Sequence, residues 1–128
     1  MVLCWGFLPI FPARIDWHRA DADAFWGPSI HWNTHLHTWV MLLNRDKDRD
    51  WTQEGIYVSF NPALGDHSGW TTPVKILDAA QLEKSKWYPQ VVGIDAAQRE
   101  TDKRAGRVAR LFVAGVSKWE IVFVRPDE

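Results

Sequence analysis

From residue 28 onward, the apolar and polar positions form short segments separated by turn-forming residues, which is typical of a β-rich chain. The segment Trp39–Arg45 is apolar on both faces, which indicates a buried strand. The charged stretch Arg45–Asp50 is typical of a solvated loop, and Asn61–Pro62 ends the segment before it. These signals predict four strands joined by short connections: Pro28–Asn33, Trp39–Arg45, Gly55–Phe60 and Pro73–Leu77.

A second run of β-forming segments follows and predicts three more strands: Tyr88–Ile94, Arg107–Gly115 and Lys118–Arg125. Between the two runs, Asp78–Lys86 is compatible with one or two helical turns that Asp78 would cap. The charged stretch Asp95–Gly106 is poor in β-forming residues, so it predicts a long loop or a short helix.

Two interpretations of an all-β fold fit these runs. Successive antiparallel runs of three or four strands are typical of β-propeller blades, here about two blades of a partial propeller. A single β-sandwich of seven strands is the alternative. In the propeller interpretation the chain is a single domain, 1–128, with an extended arm at 1–26, a first blade at 27–86 and a second blade at 87–128.

Composition narrows the class of protein. Hydrophobic residues make up 46% of the chain and charged residues 24%, the balance of a globular protein, and the net charge of -1 argues against a nucleic-acid partner. No apolar run approaches the roughly 20 residues that span a bilayer, so we expect no membrane partner. The start lacks the features of a signal peptide, which favours a cytoplasmic location. Cys4 is the only cysteine, so an internal disulfide is excluded.

Tryptophan is abundant, with nine residues in a chain of 128. Indole rings often fill the gaps between packed sheets, and they also stack on the apolar faces of sugars. Composition alone leaves both roles open. The nine are Trp5, Trp17, Trp26, Trp32, Trp39, Trp51, Trp70, Trp87 and Trp119.

Aromatic and turn-forming segments recur along both runs: Trp26–Thr34, Trp39–Leu42, Gln53–Phe60, Trp70–Val74, Trp87–Val91, Ala109–Phe112 and Gly115–Trp119. In this order and spacing the chain resembles the five-bladed β-propeller glycosidase-like proteins, relatives of the clans that contain arabinanases, xylosidases and fructosidases. The likeness spans residues 26–125 and corresponds to the last two blades of a longer protein.

The resemblance implies a glycosidase-like fold without a full set of catalytic groups. In that family an Asp base and a second Asp come from the early blades, and a Glu acid comes from a middle blade. The base therefore has no counterpart in this chain. Two blades also leave open strand edges and an uncovered sheet face, so we expect the chain to assemble as a homo-oligomer.

The predicted site gathers at the rim where the inner strands begin. Alternation in the first strand places Ser29, His31 and Asn33 on one face. The third strand of an up-and-down blade begins at the same end as the first, so Glu54 is expected near Trp26. The start of the second blade adds further aromatic and polar groups. The predicted substrate-binding residues are Trp26, His31, Asn33, Trp87, Tyr88 and Gln90.

Glycoside hydrolysis needs two carboxyl groups, and Glu54 with Asp23 is the candidate catalytic pair, Glu54 serving as the general acid. A salt bridge at a strand end is the simpler role for Glu54, a plain loop acid for Asp23 and a core side chain for His31. Carbohydrate binding without catalysis is the leading hypothesis. A glycosidase active only on assembly, or a non-catalytic structural protein from a truncated gene, are the alternatives.

Histidines supply the only set of potential metal ligands. His31, His35 and His37, with His18 and Asp23, offer enough nitrogen and oxygen atoms for zinc. His35 and His37 fall in the predicted hairpin turn, at the opposite end from Trp26. We therefore predict no metal site and no other cofactor.

Overall fold

The computed structural model describes residues 24–48, 50–83 and 87–128, and these form a mostly β structure. The first part of the chain forms β1 (Ala24–Asn33), β2 (Thr38–Asp46), β3 (Gln53–Asn61), β4 (Val74–Asp78) and the helical turn α1 (Ala79–Leu82). The second part forms β5 (Pro89–Gly93), a 3₁₀ turn (Ala96–Gln98), β6 (Arg104–Ala105), β7 (Val108–Val113) and β8 (Val116–Val122).

These strands form two sheets. The larger sheet has the order β4-β3-β2-β1-β6 and curls into a half-barrel. Strands β1 to β4 pair antiparallel with their neighbours, whereas β6 runs parallel to β1. The smaller sheet has the order β5-β7-β8 and is antiparallel.

The main core is shared by both sheets, because alternate residues of β2, β3, β5 and β7 are apolar. A second, smaller apolar cluster lies on the opposite face of β2 and β3 and contains Met41, Leu43, Tyr57 and Trp70. Strand β2 is therefore buried on both faces, as its continuous apolar run predicted. The main core contains Val40, Leu42, Ile56, Val58, Leu77, Leu82, Val91, Ala105, Ala109, Leu111, Val113 and Phe123.

The predicted all-β class is confirmed, and each of the predicted strands overlaps an observed one. The helical turn α1 follows Asp78 as predicted, and the Asp78 N–H donates to Oε1 of Gln81 at 2.8 Å. Strand β6 was not predicted, because its two residues lie in a charged stretch without apolar periodicity. It forms against β1, where the Trp32 N–H donates to the Lys103 carbonyl at 2.9 Å.

The predicted division of the chain is only partly reflected in the sheets. The boundary at residue 86 separates β4 and α1 from β5, but β6 joins the larger sheet although it follows that boundary. Residues 24–26 of the predicted arm are the first residues of β1. The rest of the arm lies outside the described residues, and the propeller blades stay a prediction.

Among the helices of the described ranges, none has the length and apolar character that crossing a bilayer requires.

Candidate aromatic binding site

A β-bulge in β1 sets the position of Trp26. The pairing of β1 with β2 shifts register between Trp26 and Ser29. Gly27 within the bulge has φ 61°, and a Cβ atom there would lie 2.5 Å from Nδ2 of Asn44. Glycine is therefore required, both for the left-handed backbone and for the close approach. The same Nδ2 donates to the Trp26 carbonyl at 3.3 Å and so holds the bulge against β2.

Four aromatic side chains from three separate segments meet at this bulge, and we call them the aromatic cluster: Trp26, Trp51, Trp87 and Tyr88. The Trp26 ring is central. Its centroid lies 5.4 Å from that of Trp51, 4.7 Å from Trp87 and 5.7 Å from Tyr88. Trp51 and Tyr88 are nearly perpendicular to Trp26, the edge-to-face geometry that aromatic pairs favour.

Two members of the cluster present large apolar surface to solvent. Trp51 is 58% exposed and Tyr88 is 63% exposed. Both also have left-handed backbone conformations, with φ 59° at Trp51 and 63° at Tyr88. A bulky residue in that region costs about 1–3 kcal/mol, and such strain concentrates at ligand-binding positions. The fold thus holds two exposed aromatic rings in conformations that neither residue favours.

Hydrogen bonds to Asp48, in the connection between β2 and β3, position Trp51. Oδ1 of Asp48 accepts from the N–H groups of Asp50 at 3.0 Å and Thr52 at 3.2 Å. The Trp51 N–H donates to the Asp48 carbonyl at 3.2 Å. Hydrogen bonds from Thr52, first from its side chain and then from its backbone, lower the pKa of the Asp48 carboxyl. The exposed tryptophan is therefore held in place by Asp48.

Two buried polar side chains share the face of the sheet with Trp26, and we call them the polar floor: Asn44 and Asp46. In the β1–β2 register Asn44 pairs with Trp26, and Asp46 lies two residues further along β2, so these three side chains point to one face. Asn44 is fully buried and Asp46 is 5% exposed. Within the described residues, Oδ1 of Asn44, Oδ1 of Asp46 and Nε1 of Trp26 have no hydrogen-bond partner.

Buried polar atoms almost always have a partner, so three unpaired atoms at one place need an explanation. Two of the three are oxygen acceptors on the same face of β2, and the third is the indole N–H of the central aromatic ring. Flat apolar faces beside convergent hydrogen-bonding groups are the two components of a small-molecule site.

The structure does not bring Glu54 to the aromatic cluster. A bulge at the start of β3 turns its carboxylate toward Lys75, with which it forms an ion pair, and Lys75 also bonds Asp78 at 3.0 Å. This network lies beside Tyr57, whose ring packs 5.1 Å from that of Phe25. Phe25 and Trp26 are consecutive in β1 and point to opposite faces. Glu54 and the aromatic cluster therefore lie on opposite faces of the sheet.

The protonation of Glu54 also differs from what a general acid requires. Burial would raise its pKa, but hydrogen bonds to Lys75 and Tyr57 and the charges of Lys75 and Arg45 outweigh this, so the pKa lies below its ordinary value. A glycosidase acid needs a raised pKa to be protonated at neutral pH. Glu54 is ionised there and serves the ion pair that was its simpler predicted role.

The other proposed catalytic residue, Asp23, lies outside the described residues. His31 is 2% exposed and lies between the sheets, where its ring contacts Phe123 at a centroid distance of 5.5 Å. Burial lowers its pKa to about 4, so His31 is neutral near pH 7. It is a core side chain rather than part of the aromatic cluster.

Asn33 and Gln90 have structural partners. Oδ1 of Asn33 accepts from the His35 and Leu36 N–H groups at 3.1 and 2.8 Å, and its Nδ2 donates to the Gly106 carbonyl at 3.0 Å. Gln90 donates to the Asp102 carboxylate at 3.3 Å. Of the six predicted substrate-binding residues, the structure thus brings together Trp26, Trp87 and Tyr88.

Among the described residues, no three histidine, cysteine or acidic side chains lie close enough together to hold a metal ion. His35 instead bonds Glu128 at 2.8 Å, next to Arg125.

Sequence reasoning missed Trp51, Asn44 and Asp46. The signals were present: a single tryptophan within a hydrophilic loop, and two polar residues at alternate positions where an apolar strand ends. Their meeting with Trp26 depends on the register of β1 and β2 and on the bulge, which the sequence pattern does not specify.

Comparison with protein-family models, with curated proteins and with solved structures returned no match to this chain.

Proposed function

We propose that this chain is a carbohydrate-binding protein that stacks a sugar ring on the exposed aromatic cluster. One observation carries the proposal: Trp51 and Tyr88 are more than half exposed, yet both are held against Trp26 by a strained backbone. Large aromatic rings held at a surface in this way favour a ligand with a flat apolar face, such as a pyranose. The polar floor supplies acceptors for its hydroxyl groups.

Binding is favoured over hydrolysis because the carboxylates are poorly placed. Glu54 is ion-paired and lies across the sheet from the aromatic cluster. Hydrolysis requires a protonated acid and a second carboxyl group within about 5–10 Å of it, beside the bound sugar. A glycosidase that is active only on assembly is the alternative, and its candidate pair is Glu54 with Asp23.

A relationship to glycosidase-like propellers belongs to this proposal. The antiparallel order of β1 to β4 is what a single blade would have and supports it. The parallel pairing of β6 with β1 is a departure from a four-stranded blade. The binding proposal does not depend on this relationship, since it rests on the aromatic cluster alone.

The experiment is a glycan array followed by calorimetry with the best ligand. Trp51→Ala and Tyr88→Ala should each weaken binding roughly tenfold or more, equivalent to about 1.4 kcal/mol. Leu64→Ala is the matched control, because Leu64 is an exposed apolar residue outside the cluster, 45% exposed, and its loss should leave affinity unchanged.

Each alternative has its own outcome. Release of the aryl group from a panel of aryl glycosides, abolished by Glu54→Gln, would replace the binding proposal with hydrolysis. An empty glycan array together with an inactive panel would leave a structural or interaction protein. Binding that survives both aromatic substitutions would show that the aromatic cluster is not the site.

A further inference from the structure

We propose that the sugar bound by the aromatic cluster is an amino sugar, whose ammonium group pairs with the carboxylate of Asp46; this inference rests on the proposed function. It starts from the polar floor. Asp46 is 5% exposed, and its Oδ1 has no hydrogen-bond partner among the described residues. A buried carboxylate oxygen without a partner is costly, and a cation that also donates hydrogen bonds offsets that cost best.

The basic residue that precedes Asp46 in the chain is directed to the other face of the sheet. The Arg45 guanidinium lies 5.3 Å from the Phe25 ring centroid and 5.4 Å from that of Tyr57, and its Nη1 donates to the Tyr57 hydroxyl at 3.2 Å. These contacts place its charge beside Tyr57 and Glu54 on that face.

The surrounding rings favour the same ligand charge. A cation near the face of a tryptophan or tyrosine ring is attracted by the electrons of the ring, most strongly for tryptophan. The aromatic cluster places two tryptophan rings and one tyrosine ring around the ring of Trp26. A neutral hydroxyl gains less than an ammonium, because it has no charge for the rings to attract and only one proton to donate to the carboxylate.

The geometry also suits the hydrogen bonds of an ammonium group. An ammonium has three donors and no acceptor, and the polar floor offers two unpaired oxygens, Oδ1 of Asn44 and Oδ1 of Asp46, on one face of β2. Both oxygens are buried, so neighbouring side chains change rotamer when the ammonium binds. The sugar ring then stacks on the aromatic faces while its amine contacts the floor.

The test compares three β-1,4-linked oligosaccharides of equal length that differ only at the second ring carbon. The glucosamine oligomer carries an ammonium, the glucose oligomer a hydroxyl and the N-acetylglucosamine oligomer a neutral amide. Calorimetry with the wild-type chain should give at least about tenfold tighter binding of the glucosamine oligomer, because charge-assisted hydrogen bonds are the strong ones.

Asp46→Asn keeps the shape of the side chain and removes its charge, so it should bring the three affinities within about threefold of one another. Asp50→Asn is the matched control, since it removes an exposed acid from the adjacent loop and should keep the preference. Circular dichroism establishes that both variants are folded.

The outcomes separate this inference from the proposed function. Equal affinity of the wild-type chain for all three oligomers would overturn the amino-sugar inference and leave carbohydrate binding intact. A preference that persists in Asp46→Asn would overturn the role of Asp46. Binding of none of the three, together with an empty glycan array, would overturn the proposed function itself.

Discussion

At the scale of single residues, the buried imidazole of His31 makes the free energy of unfolding depend on pH. His31 lies in the core against Phe123, and its Nε2 has no partner among the described residues. Burial lowers its pKa from 6.5 to about 4. The folded chain therefore holds this imidazole in its neutral form at pH values where the unfolded chain protonates it.

The sign of the resulting pH dependence follows from proton binding. Below pH 6.5 the unfolded chain takes up a proton that the folded chain does not bind until about pH 4, so stability falls as pH decreases through this interval. The shift corresponds to a loss of about 3 kcal/mol. His31→Leu should remove this loss. Urea unfolding at several pH values measures it, and parallel stability curves for the two proteins would contradict it.

Gly27 offers a second test at the residue scale, with a natural control elsewhere in the chain. Gly27→Ala should destabilise the chain by about 2–3 kcal/mol, because a Cβ adds left-handed strain and displaces Asn44. Gly115 also has a left-handed backbone, with φ 76°, but a Cβ atom added there would meet no other atom within 4 Å. Gly115→Ala should therefore destabilise the chain by only about 1 kcal/mol. Denaturant unfolding measures both, and equal losses would mean that the contact with Asn44 is unimportant.

At the scale of elements, the arrangement depends on a few polar links between strands that are distant in sequence. Asn33 joins the end of β1 to the turn before β2 and to Gly106 after β6. The Ser29 hydroxyl donates to the Pro89 carbonyl at 2.6 Å and so joins β1 to β5. These bonds hold the start of β5, and with it Trp87 and Tyr88, close to β1.

Asn33→Ala should destabilise the chain by about 2–4 kcal/mol, because three backbone groups lose their partner at a buried position. Asn33→Asp keeps the acceptor for the turn but removes the donor to Gly106, so it isolates the link to β6. Hydrogen exchange should then show faster exchange at Trp32 and Thr34, whose N–H groups bond the β6 segment. Unchanged exchange at both amides would contradict this role.

At the scale of the whole molecule, the two sheets leave β4 and β8 without a second strand partner among the described residues. An apolar groove of about 240 Å³ lies between these edges and is lined by Phe60, Ile76, Trp119 and Ile121 among others. Val74 and Val122 beside it are 62% and 45% exposed. Open edges next to apolar surface favour association.

We therefore expect the chain to associate with itself, as its sequence predicts. Size-exclusion chromatography with light scattering should give a mass above that of the 14.8 kDa monomer at micromolar concentration. A folded monomer at about 100 μM would contradict the expectation. It would then fit a protective role for the bulge between Leu111 and Phe112 that interrupts the β7–β8 pairing.

Local patterns were sufficient to predict much of the fold. Apolar periodicity is a property of neighbouring residues, so the sequence specified the β class, the strands other than β6, the burial of β2 and the helical turn after Asp78. The sequence also indicated Trp26, Trp87 and Tyr88 as binding residues, because these aromatic residues lie at the starts of predicted strands. Strand β6 had no such signal, since its pairing depends on hydrogen bonds from the backbone of β1 and from the side chains of Asn33 and Thr34.

The tertiary structure decided which of these residues form a site. The register of β1 and β2 put Asn44 and Asp46 on the face of Trp26, and the bulge at Gly27 turned that ring toward Trp51, Trp87 and Tyr88. A second bulge, at the start of β3, directed Glu54 to Lys75 instead. Register and bulges arise from contacts between distant segments, and one residue of displacement moves a side chain to the opposite face. By itself the sequence therefore determined the strands and the aromatic residues that flank them, whereas only the folded sheet could decide which side chains meet.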